Sequence, residues 1–82
     1  NIKNMKRDEI FKFIENYLFN FCGIEFEINE KTNIKNELDI DSLDMLELII
    51  ELENEYKIDI DDEIFIELKT IGDIVNYVID LL

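Results

Sequence analysis

Wound as an α-helix, the segment from Ser42 to Tyr56 would be apolar over more than half its circumference, through Leu43, Met45, Leu46, Leu48, Ile49, Ile50, Leu52 and Tyr56. A surface helix carries a narrower stripe. So broad a face calls for neighbours on most sides, or for a second apolar flank that lines a cavity. The polar positions keep the three-and-four spacing as well: Asp44, Glu47, Glu51, Asn54 and Glu55 form an acidic ridge on the solvent side. The segment opens at Asp41 or Ser42, both short oxygen-bearing residues of the kind that cap a first turn.

The neighbours that this segment needs are present in the chain. From about Asn4 to Cys22, residues Ile10, Phe13, Ile14, Tyr17, Leu18 and Phe21 recur on one helical face, and Gly23 supplies a left-handed stop. Near the other end, Thr70 and Asp73 form a capping pair ahead of a stripe of Ile71, Ile74, Val75, Val78 and Leu82. Asp61 and Asp62 mark a turn into a brief helix from Glu63 to Leu68. With no Pro and two Gly in 82 residues, the turn chemistry of an all-β fold is missing. The expectation is an all-α fold, a small four-helix bundle of three main helices plus a short third one, with residues 1–82 forming a single domain.

One stretch reads differently. Ile24, Glu25, Phe26, Glu27 and Ile28 alternate like a strand, but the sole candidate partner, Ile58-Asp59-Ile60, would give a pair too short to stand in water. An extended loop tucking alternate side chains into the bundle is the expected outcome, with Ile28, Ile34 and Leu38 packing the long connection from Gly23 to Leu38.

Twenty-one acidic residues against eight basic ones give a net charge of −13. That charge repels nucleic acid and anionic membrane surfaces and attracts basic protein patches. No apolar run approaches the length of a membrane span, and Asn1 to Met5 lack the apolar stretch of a secretory signal, with Met5 a candidate native start. A lone Cys22 cannot close an internal disulfide, which suits a reducing compartment, and the cytosol is expected.

The inventory narrows the chemistry further. Without histidine there is no Ser-His or Cys-His nucleophilic pair and no imidazole metal site, and the expectation is a non-enzyme. Calcium loops fail on register: counted from Asp39, the sixth position is Asp44 where Gly is needed and the twelfth is Ile50; counted from Asp59, they are Ile64 and Thr70. What remains is Leu38-Asp39-Ile40-Asp41-Ser42-Leu43-Asp44, a serine where a long loop meets a helix. A phosphodiester there would face unpaired N–H groups and the positive end of the helix dipole. Equally, Ser42 or Asp41 could simply cap the helix.

Asp41-Ser42-Leu43-Asp44, then Leu46-Glu47-Leu48, then Leu52-Glu53-Asn54-Glu55-Tyr56, with Ile60-Asp61-Asp62-Glu63 and Asn76-Tyr77-Val78 downstream, resemble the acyl carrier protein family. The resemblance covers the chain after its first helix and needs no gap from Ile28 to Val78. It implies that Ser42 receives a 4'-phosphopantetheine arm from coenzyme A through a phosphopantetheinyl transferase, and that the arm's thiol carries acyl groups as thioesters. It implies too that Asp41 positions Ser42, and that Leu43, Asp44, Glu47 and Glu51 face acyl-transferring and chain-extending synthase enzymes with basic docking patches. A freestanding, monomeric carrier in fatty-acid or polyketide synthesis is the implied role. The alternatives are an aminoacyl, peptidyl or D-alanyl carrier, or a carrier-like interaction subunit that is never modified.

Two departures stand out, Asp39 in place of a common Gly and Asp61 in place of a frequent Pro; neither touches the attachment chemistry. In Ile64-Phe65-Ile66 at least one side chain must face outward on so short a helix, to meet a partner, to wall an acyl pocket, or simply to pack. Cys22 is expected to be a small buried apolar residue.

Overall fold

A computed structural model describes residues 2–82, with side chains from Met5 onward. Asn1 to Asn4, read above for a leader sequence, therefore fall outside the described side chains. Five helices follow in order: α1 Ile2–Phe21, α2 Ile34–Glu37, α3 Ser42–Tyr56, α4 Asp62–Glu67 and α5 Ile71–Leu81. The all-α expectation holds, and the addition to the four expected helices is α2, a single turn inside the long loop.

α1 buries Ile10, Ile14, Tyr17 and Leu18. It ends as the periodicity indicated: Gly23 takes φ 69°, and the N–H groups of Cys22 and Ile24 both donate to the Leu18 carbonyl, at 3.1 and 3.2 Å. The first of these is an ordinary helical bond; the second closes over the left-handed Gly23 and sends the chain back along the bundle with Ile24 buried. Phe21 departs from the expected core stripe. It is 73% exposed, its ring 5.3 Å from that of Tyr17.

The long connection is packed, as expected, by Ile28, Ile34 and Leu38, but Phe26 points outward, so only Ile24 and Ile28 of the alternating set reach the core. No strand forms among the described residues. A lone antiparallel bridge joins Asn33 to Thr70. Around it the N–H groups of Ile34, Ile71 and Gly72 donate to the carbonyls of Lys69, Thr32 and Glu30, at 2.7, 3.1 and 2.8 Å. These bonds tie the loop to the start of α5. Asn33 caps α2, accepting from the N–H groups of Lys35 and Asn36 at 3.0 and 2.9 Å.

α3 buries Met45, Leu48, Ile49 and Leu52, each contributing roughly 1.5–3 kcal/mol of apolar transfer. The wide girdle is not wrapped on all sides, because Leu43 is 69% and Ile50 54% exposed. α4 is capped by Asp61 and sends Phe65 into the core, leaving Ile64 exposed and Ile66 half-buried. α5 begins with the anticipated box, in which Thr70 and Asp73 exchange backbone-to-side-chain bonds, each of 3.1 Å. It buries Ile71, Ile74, Val75 and Val78, whereas Leu82, placed in that stripe from sequence, lies exposed past the last turn. α5 packs chiefly on α1, and Arg7 joins them by bonding Asn76 on α5 and Glu30 in the loop.

Candidate functional site

Which of two adjacent residues caps α3 decides what Ser42 is available to do. The cap is Asp41: its Oδ1 accepts from the Asp44 N–H at 2.9 Å, and Oδ2 of Asp44 accepts from the Asp41 N–H at 3.2 Å. This reciprocal box occupies both carboxylates. Ser42 becomes the first helical residue, exposed, and among the described residues nothing bonds to its hydroxyl. The N–H groups of Ser42 and Leu43, at the positive end of a fifteen-residue helix, have no acceptor within it.

Ser42 is the chain's only serine. The two threonines are committed elsewhere, Thr32 buried with its hydroxyl accepting from the Asn29 N–H at 2.9 Å and Thr70 capping α5. Beside Ser42 lies a cavity of about 290 Å³ whose wall is mostly apolar, with Ile34, Ile40, Met45, Ile66 and Leu68 contributing. Lys35 is the sole cation among its lining residues. Ile66, half-buried here, thus takes up the pocket-wall reading of the apolar run on α4.

The sequence-derived site residues sit on consecutive turns. Asp41, Ser42, Leu43 and Asp44 share the first turn, Glu47 lies on the next, and Glu51 stands nine residues from Ser42, about 13 Å along the axis. Leu43, Glu47 and Glu51 are exposed; Asp44 is half-buried, its carboxylate held by the capping box. Ile50, part of the apolar girdle that the sequence reads as packed against neighbours or lining a cavity, is instead exposed on the same side. Its spacing of seven from Leu43 is the signal that could have found it.

Tyr17 is a further contributor. From α1 its hydroxyl reaches the Asp44 carbonyl at 3.5 Å and Oε2 of Glu47 at 3.4 Å, both long contacts. Burial pushes its phenol up to about 12, with the charges of Cys22 and Glu47 adding to the effect. The Cys22 thiol is also raised, by burial first and then by Asp44, Glu47 and Asp41. Half-buried and in an anionic field, it has none of the features of an activated thiol. No group of three or more side chains that could hold a metal ion occurs among the described residues, and no described helix is long and apolar enough to cross a membrane.

Residues 20–78 match the family described as Phosphopantetheine attachment site. The acyl carrier protein of Lactobacillus acidophilus is 40% identical over 75 residues, covering 90% of this chain and 94% of the relative. That of Thermotoga maritima is 32% identical over 73 residues, covering 88% and 90%. The meromycolate extension acyl carrier protein of Mycobacterium leprae is 37% identical over 73 residues, covering 88% of this chain and 64% of its own length. The chain belongs to the acyl carrier protein family and carries its phosphopantetheine attachment domain.

Proposed function

We propose that Ser42 is the attachment residue and that the protein serves as a monomeric cytosolic carrier of acyl groups, with no catalytic step of its own. The observation that carries this reading is the division of labour at the start of α3, where Asp41 and Asp44 close the helix and leave the only serine exposed and uncommitted. When bound, the phosphopantetheine arm supplies a terminal thiol on which an acyl group rides as a thioester.

The residues present fit such an arm. Ser42 would provide the oxygen that, losing its proton, displaces adenosine 3',5'-bisphosphate from the pyrophosphate of coenzyme A to leave a phosphodiester, and the N–H groups of Ser42 and Leu43 would face its negative charge. Asp41 positions Ser42 by fixing where the helix begins. The apolar wall formed by Ile40, Met45 and Ile66 offers shelter for a hydrocarbon chain, and Lys35 sets one positive charge at the same cavity.

Leu43, Asp44, Glu47 and Glu51 form the face read by a phosphopantetheinyl transferase and by acyl-transferring and chain-extending enzymes. Exposed carboxylates around an apolar Leu43 suit fast, weak docking to basic patches, because complementary charge raises encounter rates while small contacts release readily.

The test is enzymatic loading. Coenzyme A and a transferase are expected to add one arm, and an acyl-transferring enzyme is then expected to add an acyl group to the product. Loading by an aminoacyl-transferring enzyme in preference to acyl donors would move the protein to the amino-acid carriers; failure to accept an arm would make it an unmodified interaction subunit.

A further inference from the structure

Phe19 and Phe26 stand 64% and 53% exposed and line one depression of about 300 Å³, floored by the buried Leu18, Ile24 and Ile28. Isolated apolar side chains on a surface are ordinary, but here two exposed phenylalanines line the same depression. Nor is Phe26 loose. Ile24 and Ile28 are anchored in the core on either side of it, and the left-handed Gly23, closed by the Ile24 N–H to Leu18 carbonyl bond, fixes where the loop leaves α1. A surface held in place this way costs little ordering on binding.

The depression faces away from Ser42. Phe19 lies two residues beyond Tyr17, roughly 200° around α1, and Tyr17 is the residue that reaches Asp44 and Glu47 on α3. The two patches therefore occupy opposite sides of the first helix. Their lining residues do not overlap.

Charge selects the occupant. Glu15, Glu25 and Glu27 border the depression, and no cation lines it. A second copy, itself at −13, would bring the same three carboxylates against their counterparts, and an anionic membrane would be repelled for the same reason. A segment with an apolar side chain between Lys or Arg residues matches both the floor and the rim.

From this we infer that the face of α1 and its following loop carrying Phe19 and Phe26 is a second docking surface for a basic amphipathic protein segment, occupied independently of Ser42. This inference goes beyond the carrier role and does not need the arm.

The experiment titrates isotope-labelled, unmodified protein with a synthetic helical peptide of leucines along one face and lysines along the other. Amide shifts are expected to centre on Asn16, Phe19 and Glu25 to Ile28. The dissociation constant read there is expected to rise at least about tenfold in the double variant Phe19→Ser/Phe26→Ser and in Glu25→Lys/Glu27→Lys. Glu47→Lys/Glu51→Lys is expected to leave it within about twofold. Both phenylalanines are exposed, so their replacement is expected to keep the fold, and thermal unfolding checks that it does. Shifts confined to α3, unchanged affinity in the Phe19→Ser/Phe26→Ser protein, or self-association through these residues without peptide would each overturn the proposal. Since no arm is present, a negative result leaves the assignment of Ser42 where it stands.

Discussion

Asp41 and Asp44 bond each other reciprocally across the first turn of α3, at 2.9 and 3.2 Å, with Ser42 between them and taking no part. Serine and aspartate cap helix starts about equally well. Here the neighbouring aspartate has that task, so the serine is held at a fixed position while its hydroxyl faces solvent.

Separate consequences are expected for the two residues. Ser42→Ala is expected to leave stability within about 0.5 kcal/mol, as for surface changes that break no cap, while abolishing arm attachment. Asp41→Ala is expected to cost about 0.5–2 kcal/mol by removing the cap and to slow attachment by loosening the turn that presents Ser42. Urea unfolding and a transferase assay on both variants check this pair.

Gly72 is expected to resist substitution for a reason of space. A Cβ at that position would lie 2.9 Å from the Glu30 carbonyl oxygen, whose bond from the Gly72 N–H joins the long loop to α5. Backbone cannot swing aside as a side-chain tip can, so Gly72→Ala is expected to lose about 1–3 kcal/mol. Gly23→Ala offers a comparison, since open space surrounds that Cβ and only the left-handed φ of 69° opposes it.

The three long helices, the loop's apolar anchors and the box at Thr70 were legible because each depends on residues within one or two turns of each other. The cap of α3 was not, since Asp41 and Ser42 are both able; what decides between them is Asp44, which can return the bond only to Asp41. α2 escaped because four residues, Ile34-Lys35-Asn36-Glu37, are too few to show a period. The exposure of Ile50 is not legible in the apolar girdle, because an apolar circumference states how much of a helix is apolar and not where its neighbours stand; the resemblance, not the periodicity, places Leu43 outward. Phe26 shares its alternation with Ile24 and Ile28, yet the bridge between Asn33 and Thr70, which helps place this loop, joins positions no local pattern relates.

Alkaline pH is expected to weaken the fold through Tyr17. Its phenol ionises near 10.0 when unfolded and at about 12 when folded, so the folded chain keeps a proton that the unfolded chain releases. Stability is then flat below pH 10 with respect to this group and falls as pH rises from there toward 12. Tyr56, raised by burial and by the charge of Glu9, adds in the same direction. Urea midpoints followed across that window are expected to decline less in Tyr17→Phe than in the parent.

The acidic ridge is expected to govern encounter more than chemistry. Glu47→Lys and Glu51→Lys are each expected to raise the transferase's KM for this protein several-fold with a smaller change in kcat, and added salt is expected to raise the parent's KM in the same way. Steady-state kinetics at several salt concentrations test it, and a KM indifferent to both charge reversal and salt would remove Glu47 and Glu51 from the docking face.

The assignment of Ser42 is tested most directly by weighing. Intact-mass spectrometry after incubation with coenzyme A and a transferase, followed by fragmentation, is expected to show one phosphopantetheine on the oxygen of Ser42 and none on Ser42→Ala. A parent protein whose mass does not change while a control carrier in the same tube is converted, or an arm found on any other residue, would contradict it.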